Sequence, residues 1–228
     1  MKKKVNRLRV AIDGPAASGK NTLAKQIAKK YKLLHLDSGK LYRYFALQVY
    51  QSKDQKVNYT KLNQGLKKLT LKKLKDKRLT TEPVTKIASI ISKKKRIRQM
   101  LKKVQHDLAY NPPKKFKGSI LDGRDIGTVI MPDAHVKVYL TASLNVRAVR
   151  RYKEYKKMGI KTTLGRVKSD IKKRDYEDTH RKISSLKPAK DAVLLDSSFY
   201  NTKAAFAKID EVIRNEIKLL NATKHKSL

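Results

Sequence analysis

The chain has 228 residues and no cysteine, and its 57 Lys+Arg against 19 Asp+Glu give a formal charge of +38. That length buries a full core with small insertions, while the missing cysteines exclude disulfides, thiolate metal sites and a cysteine nucleophile, and suit a cytoplasmic location. No apolar run approaches the ~20 residues of a membrane span, and Met1-Lys-Lys-Lys has no apolar segment behind it, so neither a span nor a removable leader is expected.

In chain order, Arg7–Ile12 reads as a short buried strand, followed by a Gly-rich loop over 14–20 and a helix over Asn21–Tyr31 with Leu23, Ile27 and Ala28 on one face. Leu33–Leu36 is a second strand, and a helix opening at Ser38 or Gly39 runs to about Gln51. Lys53–Thr85 is Lys- and Leu-rich, with Leu62, Leu66 and Leu69 at helical spacing, and reads as part of an inserted lobe. Thr85–Tyr110 is helical with a break near Ser92–Lys95, and Asn111-Pro-Pro stops it because proline cannot continue the hydrogen-bond ladder. Strands follow at Ser119–Asp122, Val136–Thr141 and Ala192–Leu195; helices cover Ser143 to Met158, Leu164–Tyr176 and Thr202–Leu220, the first of them ending at Gly159. Five short apolar strands alternating with helices predict an α/β fold, a five-stranded parallel sheet covered on both faces. The lysines are scattered through the helical patterns, which reads as a solvated surface with only nonspecific affinity for nucleic acid.

Gly14-Pro-Ala-Ala-Ser-Gly-Lys20 matches G-x-x-x-x-G-K and lies between a predicted strand and a predicted helix, the context that gives the motif its chemistry. Gly14, Pro15, Ala16, Ala17, Ser18 and Gly19 would wrap the phosphates of ATP, all but Pro15 offering a backbone N–H, and Lys20 would neutralise the β/γ-phosphates. Asn21 stands where Ser or Thr usually ligates Mg²⁺, so Thr22, the next residue, is the candidate for that task. Asp122, at the end of a strand, is either a carboxylate behind the metal or a turn residue. A phosphate loop alone does not separate kinases from GTPase switches or nucleic-acid motors. The guanine motif N-K-x-D is absent, however, and arginines recur along the chain at 43, 98, 124, 147, 150, 151, 174 and 181. Transfer between two anionic phosphates needs fixed positive charge, which the planar, always charged guanidinium supplies. A phosphate monoester acceptor, with a second pKa of about 6, needs no general base, so the five histidines are assigned no catalytic role.

Several blocks resemble the bacterial cytidylate kinase family: Ile12-Asp-Gly-Pro-Ala-Ala-Ser-Gly-Lys-Asn-Thr22, Leu36-Asp-Ser-Gly-Lys-Leu-Tyr-Arg43, Leu121-Asp-Gly-Arg-Asp-Ile-Gly-Thr-Val129, Pro132-Asp-Ala134, Arg147 to Arg151, Arg174-Asp175, Asp178-Thr-His-Arg181 and Leu195-Asp-Ser-Ser198. The resemblance implies a P-loop kinase fold of one domain: a core over about 1–38, 118–145 and 190–228, an acceptor-binding lobe over about 39–117 and a helical lid over about 146–180. It implies transfer of the γ-phosphate of ATP, with Mg²⁺, to CMP and dCMP; a monomer is the default expectation. Residue by residue, Ser38, Arg43 and Arg124 resemble the grip on the CMP phosphate, and Ser89, Arg98 and Asp125 the readers of cytosine. Asp178 resembles a ribose ligand, with Arg174 and Arg181 beside it on ribose or phosphate. Arg147, Arg150 and Arg151 fall in the lid, where Arg150 and Arg151 are expected on ATP. Together with Lys20, the arginines 124, 174 and 181 form the expected catalytic set. The stretch between Arg43 and Ser89 is shorter than in well-known members, which implies a trimmed lobe lacking part of a small sheet, and Lys40 replaces a usually small residue. The rival readings are a kinase of another small acceptor (UMP, AMP, shikimate or dephospho-coenzyme A) and a basic nucleic-acid-binding protein with residual nucleotide binding.

Overall fold

The computed structural model describes residues 7–225, and the basic start Met1–Asn6 and residues 226–228 lie outside it. The described residues divide into two compact units, one of residues 7–36 and 108–225 and one of residues 37–107.

The first unit is built on a five-stranded parallel sheet: β1 (Leu8–Asp13), β2 (Leu34–Asp37), β3 (Gly118–Gly123), β4 (Val136–Thr141) and β5 (Val193–Asp196), in the order β2-β3-β1-β4-β5. β1 lies centrally, pairing Leu8 with Gly118 and Ile12 with Asp122 on one side and Val10 with Val136 on the other. Period-two alternation sorts its side chains. Val10, Ile12, Ile120, Val136, Val138, Leu140 and Leu195 enter a core with Leu23 and Ile27 of α1 (Lys20–Tyr31) and Ile209 and Ile213 of α8 (Thr202–His225). Ala11, Asp13, Lys137 and Tyr139 therefore face the opposite side. There a single π-helical turn, Ile126–Ile130, follows β3; it has no apolar period and was not legible in the sequence. Gly118 is required where β3 meets β1, since a Cβ there would sit 2.0 Å from the Leu8 carbonyl oxygen. α6 (Leu144–Lys157) and α7 (Leu164–His180) form a hairpin around Ala148, Val167 and Ile171. Ser143 caps α6 by accepting from Val146 N, and Gly159 turns the chain out of it at φ 71°.

The second unit is helical. It carries α2 (Ser38–Tyr50), α3 (Tyr59–Lys67), α4 (Glu82–Ile91) and most of α5 (Lys95–Tyr110), with two short 3₁₀ turns at Lys73–Lys75 and Lys77–Thr80. The expected break at Ser92–Lys95 falls between α4 and α5. No strand occurs among residues 38–107, so the small sheet of which a part was expected is wholly absent. Phe45, Leu62, Leu79, Ile91, Ile97 and Leu101 are buried here, whereas Leu66 and Leu69 are only partly so. Phe45→Ala should cost about 3–5 kcal/mol of stability, read as a lower denaturant midpoint; a loss below about 1 kcal/mol would show that this helical unit is not a packed core.

Candidate functional site

The loop after β1 is held in a shape few residues tolerate. Gly14 has φ 149°, and a Cβ on it would meet the Leu140 carbonyl oxygen at 2.0 Å. Ala17 and Gly19 both adopt positive φ, 58° and 95°, which turns successive N–H groups to one side at the start of α1. Lys20 arcs back over this loop, donating to the Pro15 carbonyl at 2.7 Å and to Ser18 Oγ at 3.2 Å. Burial and the neighbouring Arg124 charge push its pKa well below the usual lysine value, while Asp122, Asp13 and Asp178 hold it back.

The second face of the sheet carries Asp13, which accepts from Ile126 N at 2.8 Å and Gly127 N at 2.7 Å and so pins the π-helical turn to the phosphate loop. Burial raises its pKa to about 6 against those two bonds, with Asp125 adding repulsion. Because the folded value exceeds the ordinary 3.8, the stability linked to Asp13 is complete below that lower value and is lost as pH rises through about 6. Carboxyl ¹³C NMR should find Asp13 titrating near 6; a midpoint near 4 would mean that the group is solvated.

Three expected site arginines converge on one carboxylate. Arg124 Nε donates to Asp178 Oδ2 at 2.6 Å, Arg181 Nη1 to Asp178 Oδ1 at 3.4 Å, and Arg174 lies close enough to act on the same carboxyl. Burial alone would raise the Asp178 pKa, but the charges of Arg124, Arg174 and Arg181 outweigh it and hold the carboxyl below the usual range. α7 runs four residues beyond Tyr176, its predicted end, to His180. That extension puts Asp178 in its last turn, with Arg181 as the capping residue. Arg181 Nε donates to the Ser184 carbonyl at 2.6 Å. Since Lys20 feels both Arg124 and Asp178, the phosphate loop and this cluster belong to one electrostatic neighbourhood.

The arginines of α6 take different places. Arg147 is buried, pairs with Asp175, and donates to the Ala142 carbonyl at 2.7 Å and the Ala16 carbonyl at 3.2 Å. Asp175 in turn accepts from Ala16 N at 3.1 Å, so this pair clamps the phosphate loop from outside. Arg150 donates to Ser197 Oγ at 3.0 Å and the Ser197 carbonyl at 2.8 Å, and reaches the Ser18 carbonyl at 3.5 Å. Arg151 pairs with Glu154 at 2.9 Å and lies over the Tyr155 ring, both partners belonging to α6. Asp122 is buried at 2.6 Å from His35 Nε2. Among the described residues no three His, Asp or Glu side chains gather as a metal site. Asn21 is half-buried and Thr22 exposed at the start of α1, so the donor set fits a Mg²⁺ carried chiefly by nucleotide phosphates.

On the second unit, Asp37 caps α2 by accepting from Lys40 N at 3.3 Å and pairs with Arg43 Nη2 at 2.9 Å. Arg43 Nε is buried with no hydrogen-bond partner, a donor left over for an anion. Gly39 permits this arrangement: a Cβ there would sit 3.0 Å from Asp37 Oδ1 and 3.6 Å from the guanidinium. Ser38 is buried at the first position of α2. Arg98 is buried against Tyr42 and donates to the Ser92 carbonyl at 3.1 Å, while Ser92 Oγ donates to the Ser89 carbonyl at 2.8 Å. Ser89 and Arg98 are thus brought together through Ser92 at the corner between α4 and α5. Asp125, on the first unit, is buried at the entry to the π-helical turn, its carbonyl accepting from Val129 N and Ile130 N.

Sequence reasoning passed over Asp13, His35, Asp175 and Ser197 as site residues. A carboxylate closing a buried strand was the available signal for Asp13; Asp175 and Ser197 lay in the blocks Arg174-Asp175 and Leu195-Asp-Ser-Ser198 without an assigned role, and nothing local marked His35.

A family model described as cytidylate kinase matches residues 10–217. The cytidylate kinase of Rhodospirillum rubrum is 36% identical over 207 residues, covering 91% of this chain and 97% of that protein. Those of Ligilactobacillus salivarius and Bradyrhizobium diazoefficiens are 37% and 44% identical, covering 97% and 83% of this chain and 100% and 87% of theirs. A crystal structure of an uncharacterized protein from Eubacterium ventriosum superposes with a TM-score of 0.51 at 11% identity, over 92% of this chain and 99% of that one, a likeness of fold alone. No described helix is long and apolar enough to cross a membrane. With the phosphate loop, the arginine cluster and near full-length matches in hand, the chain belongs to the cytidylate kinase family.

Proposed function

We infer that the protein is a cytidylate kinase, transferring the γ-phosphate of ATP to CMP and dCMP to give ADP with CDP or dCDP. The observation that carries this reading is the gathering of Arg124, Arg174 and Arg181 on Asp178 within the electrostatic reach of Lys20. Guanidinium groups held in place before substrate arrives need little reorganisation when charge spreads over the equatorial oxygens of the transferring phosphoryl group.

The roles follow from chemistry. Residues 14–22 hold the ATP phosphates, with Lys20 neutralising them, and Arg147 and Asp175 keep that loop in shape. Mg²⁺, when bound with ATP, would supply further charge neutralisation, with Thr22 as its side-chain ligand and Asp122 behind it. Arg43, Ser38 and Arg124 take the CMP phosphate; Asp178 and Arg181 take the ribose side. Ser89, Arg98 and Asp125 read the base: the cytosine amine donates to a carboxylate, and its O2 and N3 accept from Arg98 and Ser89. Uracil offers a carbonyl in place of the amine, so Asp125 would face an acceptor, and such mismatches are rejected by large factors. The segment over about 39–117 serves as the acceptor-binding lobe and that over about 146–180 as the lid, in a monomeric, cytoplasmic enzyme.

ADP formation measured side by side with CMP, dCMP, UMP and AMP tests this. CMP and dCMP should exceed UMP and AMP by at least tenfold in kcat/KM; equal rates with all four would exclude the base-reading assignment.

A further inference from the structure

At the carboxyl end of α1 two grooves adjoin. The larger, about 440 Å³, has Ala28 and Leu33 as its floor and Lys29, Lys32, Lys115 and Phe116 around it. The smaller, about 310 Å³, shares Lys32 and Leu33 and adds Lys30, Tyr31 and Lys117. A backbone bond from Lys117 N to the Lys32 carbonyl, 2.9 Å, ties the two rims together, and Lys32 itself is in the left-handed region at φ 54°. No acidic residue lines either groove. Lys30 is neutralised by Asp210 at 2.6 Å, and Tyr31 spends its hydroxyl on the same carboxylate. Lys29, Lys32, Lys115 and Lys117 are exposed and, among the described residues, have no carboxylate within ion-pair reach. The Phe116 ring is half-buried, with Lys115 Nζ 5.3 Å from its centroid.

We propose that these grooves form a binding site for single-stranded nucleic acid. Four unneutralised cations spread over two adjoining hollows match a string of phosphates. An aromatic ring at the edge of a basic groove offers a stacking surface for any base, whereas a duplex keeps its bases out of reach. The site is remote from the phosphate loop, because α1 has 12 residues from Lys20 to Tyr31 and so spans about 18 Å at ~1.5 Å per residue. Binding here is therefore independent of the kinase reaction, and no 2′-hydroxyl reader lines the grooves, so RNA and DNA strands bind alike.

The test is fluorescence anisotropy of fluorescein-labelled rU12 and dT12 with the full chain, across a salt series, with and without saturating ATP. Lys32→Glu with Lys115→Glu should weaken binding at least tenfold and reduce the salt slope by about 1.4, at ~0.7 for each phosphate no longer neutralised. The same charge change at Lys72→Glu with Lys75→Glu, on the second unit, should cost less than threefold. Phe116→Leu should weaken binding several-fold with the salt slope unchanged. ADP production from ATP and CMP should be unaltered in the Lys32, Lys115 and Phe116 variants. Equal losses in the groove and control pairs would reduce the effect to the overall +38 charge and overturn the proposal, as would displacement of the oligonucleotide by ATP.

Discussion

Lys20→Met is expected to lower kcat by roughly 10²–10³, the cost of removing one preorganised charge from a site where negative charge develops. Methionine keeps the unbranched stem that fills the space under the loop, and it removes a buried ammonium whose bonds go to Pro15 and Ser18. The folded state should therefore survive, with a melting temperature at or above that of the parent. Lys20 shares its surroundings with Arg124, and both burial and that like charge work against its protonated form. Bound phosphates supply the opposite charge, so the ammonium is stabilised most when nucleotide is present. A kcat within tenfold of the parent would remove Lys20 from the transfer step.

Arg124→Ala should be nearly as severe, lowering kcat/KM for CMP by about 10²–10³ while leaving KM for ATP within a few-fold. Arg124 lies 2.6 Å from Asp178 Oδ2, closer than Arg181 at 3.4 Å from Oδ1. Its removal still leaves Arg181 at 3.4 Å and Arg174 nearby, so the carboxylate is not stranded. Arg124→Lys should recover little, since a point ammonium cannot present two parallel donors to a phosphate. There is a pH signature too. Asp178 is depressed in the folded protein, so its contribution to stability is present above the ordinary carboxylate value and is lost as pH falls through the lower, folded value. Without Arg124 that loss should begin at higher pH. A variant with normal turnover on CMP, or with an unchanged acid limb, would contradict the assignment.

Much of the fold could be read from the sequence because it rests on local signals. Val10–Ile12, Ile120–Leu121 and Val136–Leu140 are apolar runs too short for helices, and the Gly-rich loop sits after the first of them. Gly159 marks the end of α6 through its own backbone freedom. Less legible was whatever depends on which distant residues meet. The apolar spacing of Leu62, Leu66 and Leu69 signals a helix, but α3 ends at Lys67 and Leu69 falls in the turn beyond it. The roles of Arg147 and Arg150 are a sharper case. In the sequence only their charge can be read; that their donors reach Asp175, Ala16, Ala142 and Ser197 follows from the way the α6–α7 hairpin sets them against the phosphate loop. Asp13 lay inside a quoted motif, but its work depends on a turn more than a hundred residues away in sequence. The grooves beside Phe116 were invisible for another reason: lysine is everywhere in this chain, and only folding shows where lysines lack carboxylates.

Following the fate of the label from [γ-³²P]ATP incubated with CMP and Mg²⁺ addresses the phosphoryl-transfer reading most directly. Label should pass to CDP in step with ADP formation, with little released as inorganic phosphate and little label passing to UMP offered in place of CMP. Label collecting in inorganic phosphate, at a rate indifferent to CMP, would mean that the clustered arginines do not serve an acceptor nucleotide.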